Sequence, residues 1–286
     1  MTEVITDPQV FQRVCQEARA RAVSVGFVPT MGALHQGHGA LITAARAHCD
    51  WTVVSVFLNP LQFSQQEDFD RYPLAFTEDL GQCRSLGVDC VFAPSAESLY
   101  PHGFQTFVEV RELSQPLEGA HRPGHFRGVS TIVAKLLCLV GPCHLWVGRK
   151  DYQQWKVIER LAKDLHLPVD VHAHPVVRDA SGLALSSRNA RLSTEEYARA
   201  LSLVRGLREA GAAYGQGERR VSSLIALAAD PLAANSINID YVGVFDPENM
   251  TALSGTAPER ALLALAAHVG DTRLIDNMVL GEDPVP

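Results

Sequence analysis

The sequence has no excess of positive charge. Its 25 Lys and Arg are outnumbered by 32 Asp and Glu, for a formal charge of −7. Bulk electrostatics therefore disfavour a nucleic-acid partner, RNA included, and any anionic ligand must be held by a local cluster of donors. No apolar stretch reaches the roughly 18 residues that a membrane helix needs, so no membrane span is expected. The N-terminus, MTEVITDPQVFQRV, is polar and acidic, unlike a signal peptide. Cys15, Cys49, Cys83, Cys90, Cys138 and Cys143 contain no C-x-x-C pair and sit mostly in apolar or helical stretches. That pattern reads as reduced, buried thiols in a cytoplasmic protein. There is no internal repeat and no low-complexity segment. What is present is ordinary: 47% hydrophobic and 20% charged residues over 286 positions. That suffices for one large domain or two unequal ones.

The chain is organised around residues 25–46, VGFVPTMGALHQGHGALITAAR. The apolar run 23–28 reads as a buried strand. Pro29-Thr30-Met31-Gly32-Ala33 makes a small-residue turn, and after His35-Gln36-Gly37-His38 comes a helical pattern through Leu41, Ile42, Ala45 and Arg46. A strand that passes through a glycine turn into a helix builds an anion site, because the helix start leaves backbone N–H groups unpaired. His35 and His38 are expected on one face of the first helical turn, each able to offer an N–H to a phosphate oxygen. An H-x-x-H pair also suits a metal ion or a solvated turn. Zinc would need further ligands, and no additional His/Cys cluster at ligand spacing accompanies the pair.

Taken in order, residues 7–20 read as a helix with Asp7 as cap and Pro8 at its first position. Residues 51–58, WTVVSVFL, read as a strand buried on both faces, ending in Asn59-Pro60-Leu61-Gln62-Phe63. A surface loop is expected over 64–70. A helix then begins at Thr77-Glu78-Asp79 with the threonine as cap, stops near Gly87, and is followed by a short strand at 90–92. The order β-α-β-α-β argues for a parallel, doubly wound sheet, whose ligands sit beyond the carboxyl ends of the strands.

Residues 117–130, LEGAHRPGHFRGVS, read as a loop, with a helix over about 129–139. A strand at 144–147 leads through Gly148-Arg149-Lys150-Asp151 into a helix ending near 165. Lys150 has the wrong sign for a helix start, which leaves a solvated lysine or one kept for a phosphate. An apolar stretch at 169–177, broken by Pro175, precedes RDASGLALSSRNAR, residues 178–191. Its serines and arginines suit a triphosphate or make a flexible basic linker. A capping box at Ser193–Glu196 opens a helix to about 213. A short helix at 221–229 and strands at 237–244, 262–269 and 272–280, with antiparallel pairing, complete a small α/β unit. The domain boundary is expected near 177.

Seven stretches in order resemble one family: VPTMGALHQGH, VSVFLNPLQF, FDRYPLAFTEDL, LEGAHRPGHFRGV, GRKDYQQ, GLALSSRN and TRLIDN. The sequence resembles the pantothenate synthetases (pantoate–β-alanine ligases) of the nucleotidyltransferase superfamily. The resemblance implies a Rossmann-like doubly wound parallel sheet over 1–176 that binds nucleotide and pantoate, and a smaller C-terminal α/β lid domain over 177–286. It implies a cytoplasmic homodimer that uses ATP, with Mg²⁺, to convert pantoate to pantoyl adenylate, then couples this to β-alanine and releases AMP. The product that the resemblance implies is a coenzyme A precursor.

The same resemblance assigns residues. His35 and His38 are expected to stabilise the transition state at the α-phosphorus. Lys150 is expected to bind phosphate, and Ser186, Ser187 and Arg188 to close over the triphosphate. Pro29, Thr30, Met31, Gly32, Gly37, Gly148, Asp151, Val177 and Leu185 fall in the ATP-binding segments, with Asp151 near the ribose. Gln62 and Gln154 are expected on pantoate, with Met31, Asn59, Tyr72, Glu118, Arg122 and His125 around the substrates. Asp79 and Gln82 match positions near the magnesium ion.

Three positions depart from the family pattern. Arg149 stands for a glutamate, Leu185 for a methionine, and Gly39 for a larger apolar residue. A related nucleotidyltransferase acting on a different acceptor is the alternative within the enzyme class. A phosphorylated acceptor would call for cations where this chain has Gln62 and Gln154. A non-catalytic nucleotide-binding module is the alternative outside it.

Overall fold

The computed structural model describes residues 2–63 and 69–286. The chain divides into two units, Met1–Arg149 with Gln153–Pro175, and Lys150–Tyr152 with Val176–Pro286. The surface loop expected over 64–70 lies mostly outside the described residues.

The first unit runs β1 (Glu3–Ile5), α1 (Pro8–Ala20), β2 (Val25–Thr30), α2 (Gln36–His48), β3 (Trp51–Val56), α3 (Phe76–Ser85), β4 (Cys90–Phe92), α4 (His125–Val140), β5 (Cys143–Gly148), α5 (Tyr152–Asp164) and β6 (Val169–His174). Its strands form one sheet in the order β1-β4-β3-β2-β5-β6, with parallel pairing throughout. The chain winds from β2 through β3 to β4, then returns to the other side of β2 as β5 and β6. The order therefore reverses between β2 and β5, the place where such sheets open a crevice for ligands. The N-terminal strand β1 escapes the sequence reading because three residues carry no usable periodicity.

Both sheet faces are covered. Phe11 of α1 stacks on Phe92 of β4 at 4.1 Å, in a core shared with Val129 and Leu137 of α4 and Ile158 and Leu161 of α5. The opposite face buries Leu41 and Ile42 of α2 and Cys83 of α3 against Val28, Val54 and Val91. This is why 51–58 reads as a nearly continuous apolar run. Asp7 caps α1 as expected, accepting from the Gln9 and Val10 N–H groups at 2.9 and 2.8 Å.

Two helix starts differ from expectation. The N-cap position of α3 is Ala75, with no side-chain hydrogen bond, so Thr77 lies inside the helix. Acidic Glu78 and Asp79 in its first turn complement the dipole instead. Helix α4 begins at His125 rather than 129, just after Gly124 at φ +80°. Gly128 looks like a loop residue but is a packing residue. A Cβ there would lie 2.2 Å from the Leu61 carbonyl oxygen, so glycine lets α4 close onto the turn at Pro60–Gln62.

The second unit contains α6 (Thr194–Gly215), α7 (Val221–Ala234) and an antiparallel sheet of β7 (Asn238–Phe245), β8 (Ala261–Val269) and β9 (Thr272–Leu280). The capping box forms: Ser193 N–H donates to Glu196 Oε2 at 2.8 Å, and Glu196 N–H to Ser193 Oγ at 3.2 Å. Helix α7 continues beyond 229 through Pro231. Leu203, Leu207, Leu224, Leu232, Leu263 and Leu265 form its core. All six cysteines are free thiols, and only Cys138 is exposed. No helix among the described residues is long and apolar enough to cross a membrane.

Candidate active site

In the first unit, the turn after β2 is pinned at both ends. Thr30 Oγ1 donates to the Ser55 carbonyl on β3 at 2.8 Å, and Gly32 N–H donates back to Thr30 Oγ1 at 3.2 Å. Gly32 and Ala33 both take positive φ, +84° and +50°, and for alanine that is a strained conformation. A single buried carboxylate holds it. Asp79 Oδ2 accepts from Ala33 N–H at 2.9 Å and Oδ1 from Leu34 N–H at 2.7 Å. Gln82, one turn further along α3, donates Nε2–H to the Leu34 carbonyl at 3.2 Å. Burial raises the Asp79 carboxyl above its ordinary value, against the pull of the two backbone N–H groups.

The histidines continue this construction. His35 is the N-cap of α2, one residue before the helix, and His38 occupies its third position. His35 Nδ1 accepts the Gly37 N–H at 3.1 Å, and His38 Nδ1 accepts the His35 N–H at 3.3 Å. This is a capping box made of two imidazoles, with ring centroids 4.1 Å apart. An Nδ1 that accepts carries no proton, so in each neutral ring Nε2–H is the donor. The shared face expected of the pair is realised by a cap and a helical residue, not by two residues of one turn.

Beyond the end of β3, a second cluster centres on Gln62. Its Nε2 lies 2.8 Å from Met31 Sδ, and its Oε1 accepts from Asn59 Nδ2 at 3.0 Å. Asn59 is itself fixed by donation to the Gly128 carbonyl at 3.2 Å and by the Tyr100 hydroxyl at 2.8 Å. His125 Nδ1 donates to the Gln62 carbonyl at 2.7 Å, and Arg122 Nη1 lies 3.2 Å from His125 Nε2. That arrangement selects the neutral Nδ1–H form of His125, because only a bare Nε2 can accept from a guanidinium. Arg122 also pairs with Glu118 at 3.8 Å. Thus Met31, Asn59, Gln62, Glu118, Arg122 and His125 meet in one network. Buried Tyr72 packs its ring against Phe63 at 5.9 Å.

Gln154, half-buried on the first turn of α5, follows a residue that the sequence reading passed over. Gln153 is buried, donates to the Leu113 and Pro116 carbonyls, and accepts from Glu118 N–H at 3.0 Å. It anchors the segment that carries Glu118. A cavity of about 300 Å³ beside Met31, Gly32 and Asp79 is walled chiefly by apolar groups such as Val56, Leu58 and Phe76. Gly148 ends β5. The guanidinium of Arg149 stands 5.8 Å from the centre of the Trp155 ring.

In the second unit, Lys150 Nζ lies 3.5 Å from Asp151 Oδ1, and the Lys150 carbonyl accepts from Asn277 Nδ2 at 2.8 Å. Asn277 N–H in turn donates to Asp276 Oδ1 at 2.8 Å. Asp276 pairs with Arg178, which also donates to the Gly182 carbonyl at 3.1 Å. Leu185 N–H bonds to the Val177 carbonyl at 2.9 Å, closing the 177–185 loop. Ser186 Oγ then caps the turn Ser187–Arg191 by accepting from Arg188 N–H at 3.3 Å. The stretch 178–191 is therefore no flexible linker. Its first arginine is a structural partner of β9, within the TRLIDN stretch.

Known proteins resemble this chain along nearly its whole length. The pantoate-beta-alanine ligase family model matches residues 3–279. The chain is 48% identical over 282 residues to pantothenate synthetase 1 of Bradyrhizobium diazoefficiens, covering 99% of each. It is 49% identical over 265 residues to the pantothenate synthetase of Acidobacterium capsulatum, covering 91% of this chain and 87% of that one. Among solved structures, the pantothenate synthetase of Thermus thermophilus superposes with a TM-score of 0.90 at 41% identity, over 97% and 99% of the two chains. The Francisella tularensis pantoate-beta-alanine ligase complexed with beta-gamma ATP and beta-alanine gives 0.81 at 31% identity, over the whole of both. With the family model spanning residues 3–279 and relatives near half identical over nine-tenths or more of it, this chain belongs to the pantoate–β-alanine ligase family.

Proposed function

We propose that this protein joins pantoate to β-alanine at the expense of ATP. In the first step the pantoate carboxylate attacks the α-phosphorus. The bond to the bridging oxygen breaks, pyrophosphate leaves, and pantoyl adenylate remains. In the second step the β-alanine amine attacks the acyl carbon, AMP leaves, and the amine proton is released. No side chain forms a covalent bond in either step, so catalysis rests on alignment and on charge stabilisation.

The observation that carries this reading is the imidazole capping box. Both Nδ1 atoms are committed to the backbone, so the two Nε2–H donors are preorganised at a helix start, where a phosphate oxygen gains most from them. Pro29, Thr30, Met31, Gly32 and Gly37 shape that turn, and Gly148, Asp151, Val177 and Leu185 complete the nucleotide-binding set. Lys150, Ser186, Ser187 and Arg188 supply charge and donors to the phosphates. Gln62 and Gln154 bind the hydroxyls and carboxylate of pantoate, with Asn59, Tyr72, Glu118, Arg122 and His125 ordering the wall. Residues 1–176 act as the nucleotide- and pantoate-binding domain, and 177–286 as the smaller domain that carries the serine–arginine loop.

Mg²⁺ fits this donor set in a limited way. Each Asp79 oxygen holds one backbone N–H and keeps a second lone pair, and Gln82 keeps its amide oxygen. These two would help hold an ion that arrives on the phosphates, which would neutralise pyrophosphate charge. In this reading the protein acts as a homodimer in the cytoplasm, a reducing compartment that suits its six free thiols.

The test is pantothenate formation from ATP, pantoate and β-alanine, omitting each in turn. Without β-alanine, pyrophosphate and bound pantoyl adenylate should still form. Formation of no adenylate from ATP and pantoate would overturn the reading.

A further inference from the structure

We propose that His48, His144 and His172 form a binding site for a zinc-class transition-metal ion, separate from the histidine turn. The three come from three elements of the first unit. His48 ends α2, His144 lies on β5, and His172 lies on β6. In the parallel β5–β6 register, His144 sits opposite Asp170 and Trp146 opposite His172. The period of two puts all four side chains on one sheet face, and the last residue of α2 reaches that face.

One ligand nitrogen from each ring lies within 4.8 Å of the other two. His144 Nδ1 and His172 Nε2 are already 3.1 Å apart. A tetrahedral zinc ion with Zn–N bonds of ~2.0–2.1 Å sets its nitrogens roughly 3.3 Å apart, so the spacing of this pair suits a shared ion, which would replace the hydrogen bond between them. His48 is exposed and can close the remaining distance by turning its side chain. Its ring centroid is 4.6 Å from that of His144 and 5.1 Å from that of His172.

Two further features suit a metal. Trp146 stacks on His172 with centroids 4.4 Å apart and planes 14° from parallel, which fixes the ring in place. Asp170 Oδ2, 3.6 Å from His144 Nδ1 and largely exposed, is placed to give a fourth ligand or to offset the ion's charge. The competing account is that the two inner histidines merely share a hydrogen bond. That account gives His48 no role.

Zn²⁺ or Co²⁺ would bridge the end of α2 to the sheet edge. The test titrates the full-length chain, without nucleotide, with ZnCl₂ by calorimetry and with CoCl₂ by visible absorption. One equivalent should bind, with the absorption of a nitrogen-ligated cobalt site, and Zn²⁺ should raise the melting temperature. His48→Gln and His172→Gln should each weaken binding by at least about tenfold. His48→Gln alters an exposed side chain, so it should fold and make pantothenate at the wild-type rate without added metal. His38→Gln, which changes the other histidine pair, should leave the affinity unchanged. Equal affinity in His48→Gln and wild type, loss in His38→Gln instead, or no binding at about 100 μM Zn²⁺ would each overturn the proposal.

Discussion

Arg178 and Asp276, 98 residues apart in the chain, form a two-pronged ion pair, Nη1–Oδ2 at 2.6 Å and Nη2–Oδ1 at 2.9 Å. Asp276 is buried, and its neighbour Asn277 holds the Lys150 carbonyl. One dipeptide on β9 therefore positions both the Lys150 backbone and the loop that leads to Ser186. Asp276→Ala would leave the partly buried Arg178 guanidinium without its carboxylate partner. We expect a loss of about 3–5 kcal/mol, read by urea unfolding. The apolar double replacement Arg178→Met with Asp276→Leu should recover much of it, because it removes both charges. A single mutant as stable as wild type would show that the pair has no structural role.

The imidazole capping box separates fold from catalysis. Asn at position 35 puts its oxygen about where Nδ1 lies, so it keeps the cap and loses the Nε2 donor. His35→Asn should unfold within about 1 kcal/mol of wild type, yet lose two to three orders of magnitude in adenylate formation, the scale for one transition-state donor. Pyrophosphate release measures the second quantity. His35→Leu should lose both. If His35→Asn and His38→Ala both released pyrophosphate near the wild-type rate, the catalytic assignment would fail.

Asp79 holds two adjacent N–H groups with one carboxylate. Asp79→Asn replaces one acceptor with a donor that faces a donor, and should cost about 1–3 kcal/mol. Because the strained Gly32–Ala33 turn would relax, the first half-reaction should slow while β-alanine still consumes supplied pantoyl adenylate. Denaturation and single-turnover assays on the same variant separate the two effects.

Gly39 offers the opposite case. A Cβ there would meet only Leu86 Cδ1, at 3.6 Å, an ordinary contact. Gly39→Ala should therefore stabilise α2 by up to about 1 kcal/mol through helix propensity. A melting temperature below wild type would indicate that this position serves something other than the helix.

Burial pushes the Cys15, Cys90 and Cys143 thiols up to about 12 and Cys83 to about 11. Since the thiolate is the nucleophile, these should resist iodoacetamide at pH 8 in the native protein. Exposed Cys138 should react first, as peptide mapping would reveal. Rapid labelling of Cys90 would mean that the β4 region opens in solution.

Local chemistry made much of this protein readable in one dimension. Asp7-Pro8 announces α1, Ser193–Glu196 announces α6, and the apolar run through Val53 and Val54 announces a strand covered on both faces, because caps and periodicity act within a few residues. The order of elements then implies the parallel sheet. What the chain alone did not decide lies in contacts between distant segments. Gly128 reads as a loop glycine until Leu61 is packed against it. Arg178 reads as one basic loop residue among three until Asp276 meets it. His48, His144 and His172 show no ligand spacing, yet the β5–β6 register and the end of α2 gather them. Such pairings depend on which strands become neighbours and which faces they share, and burial of the whole core decides that rather than any local preference.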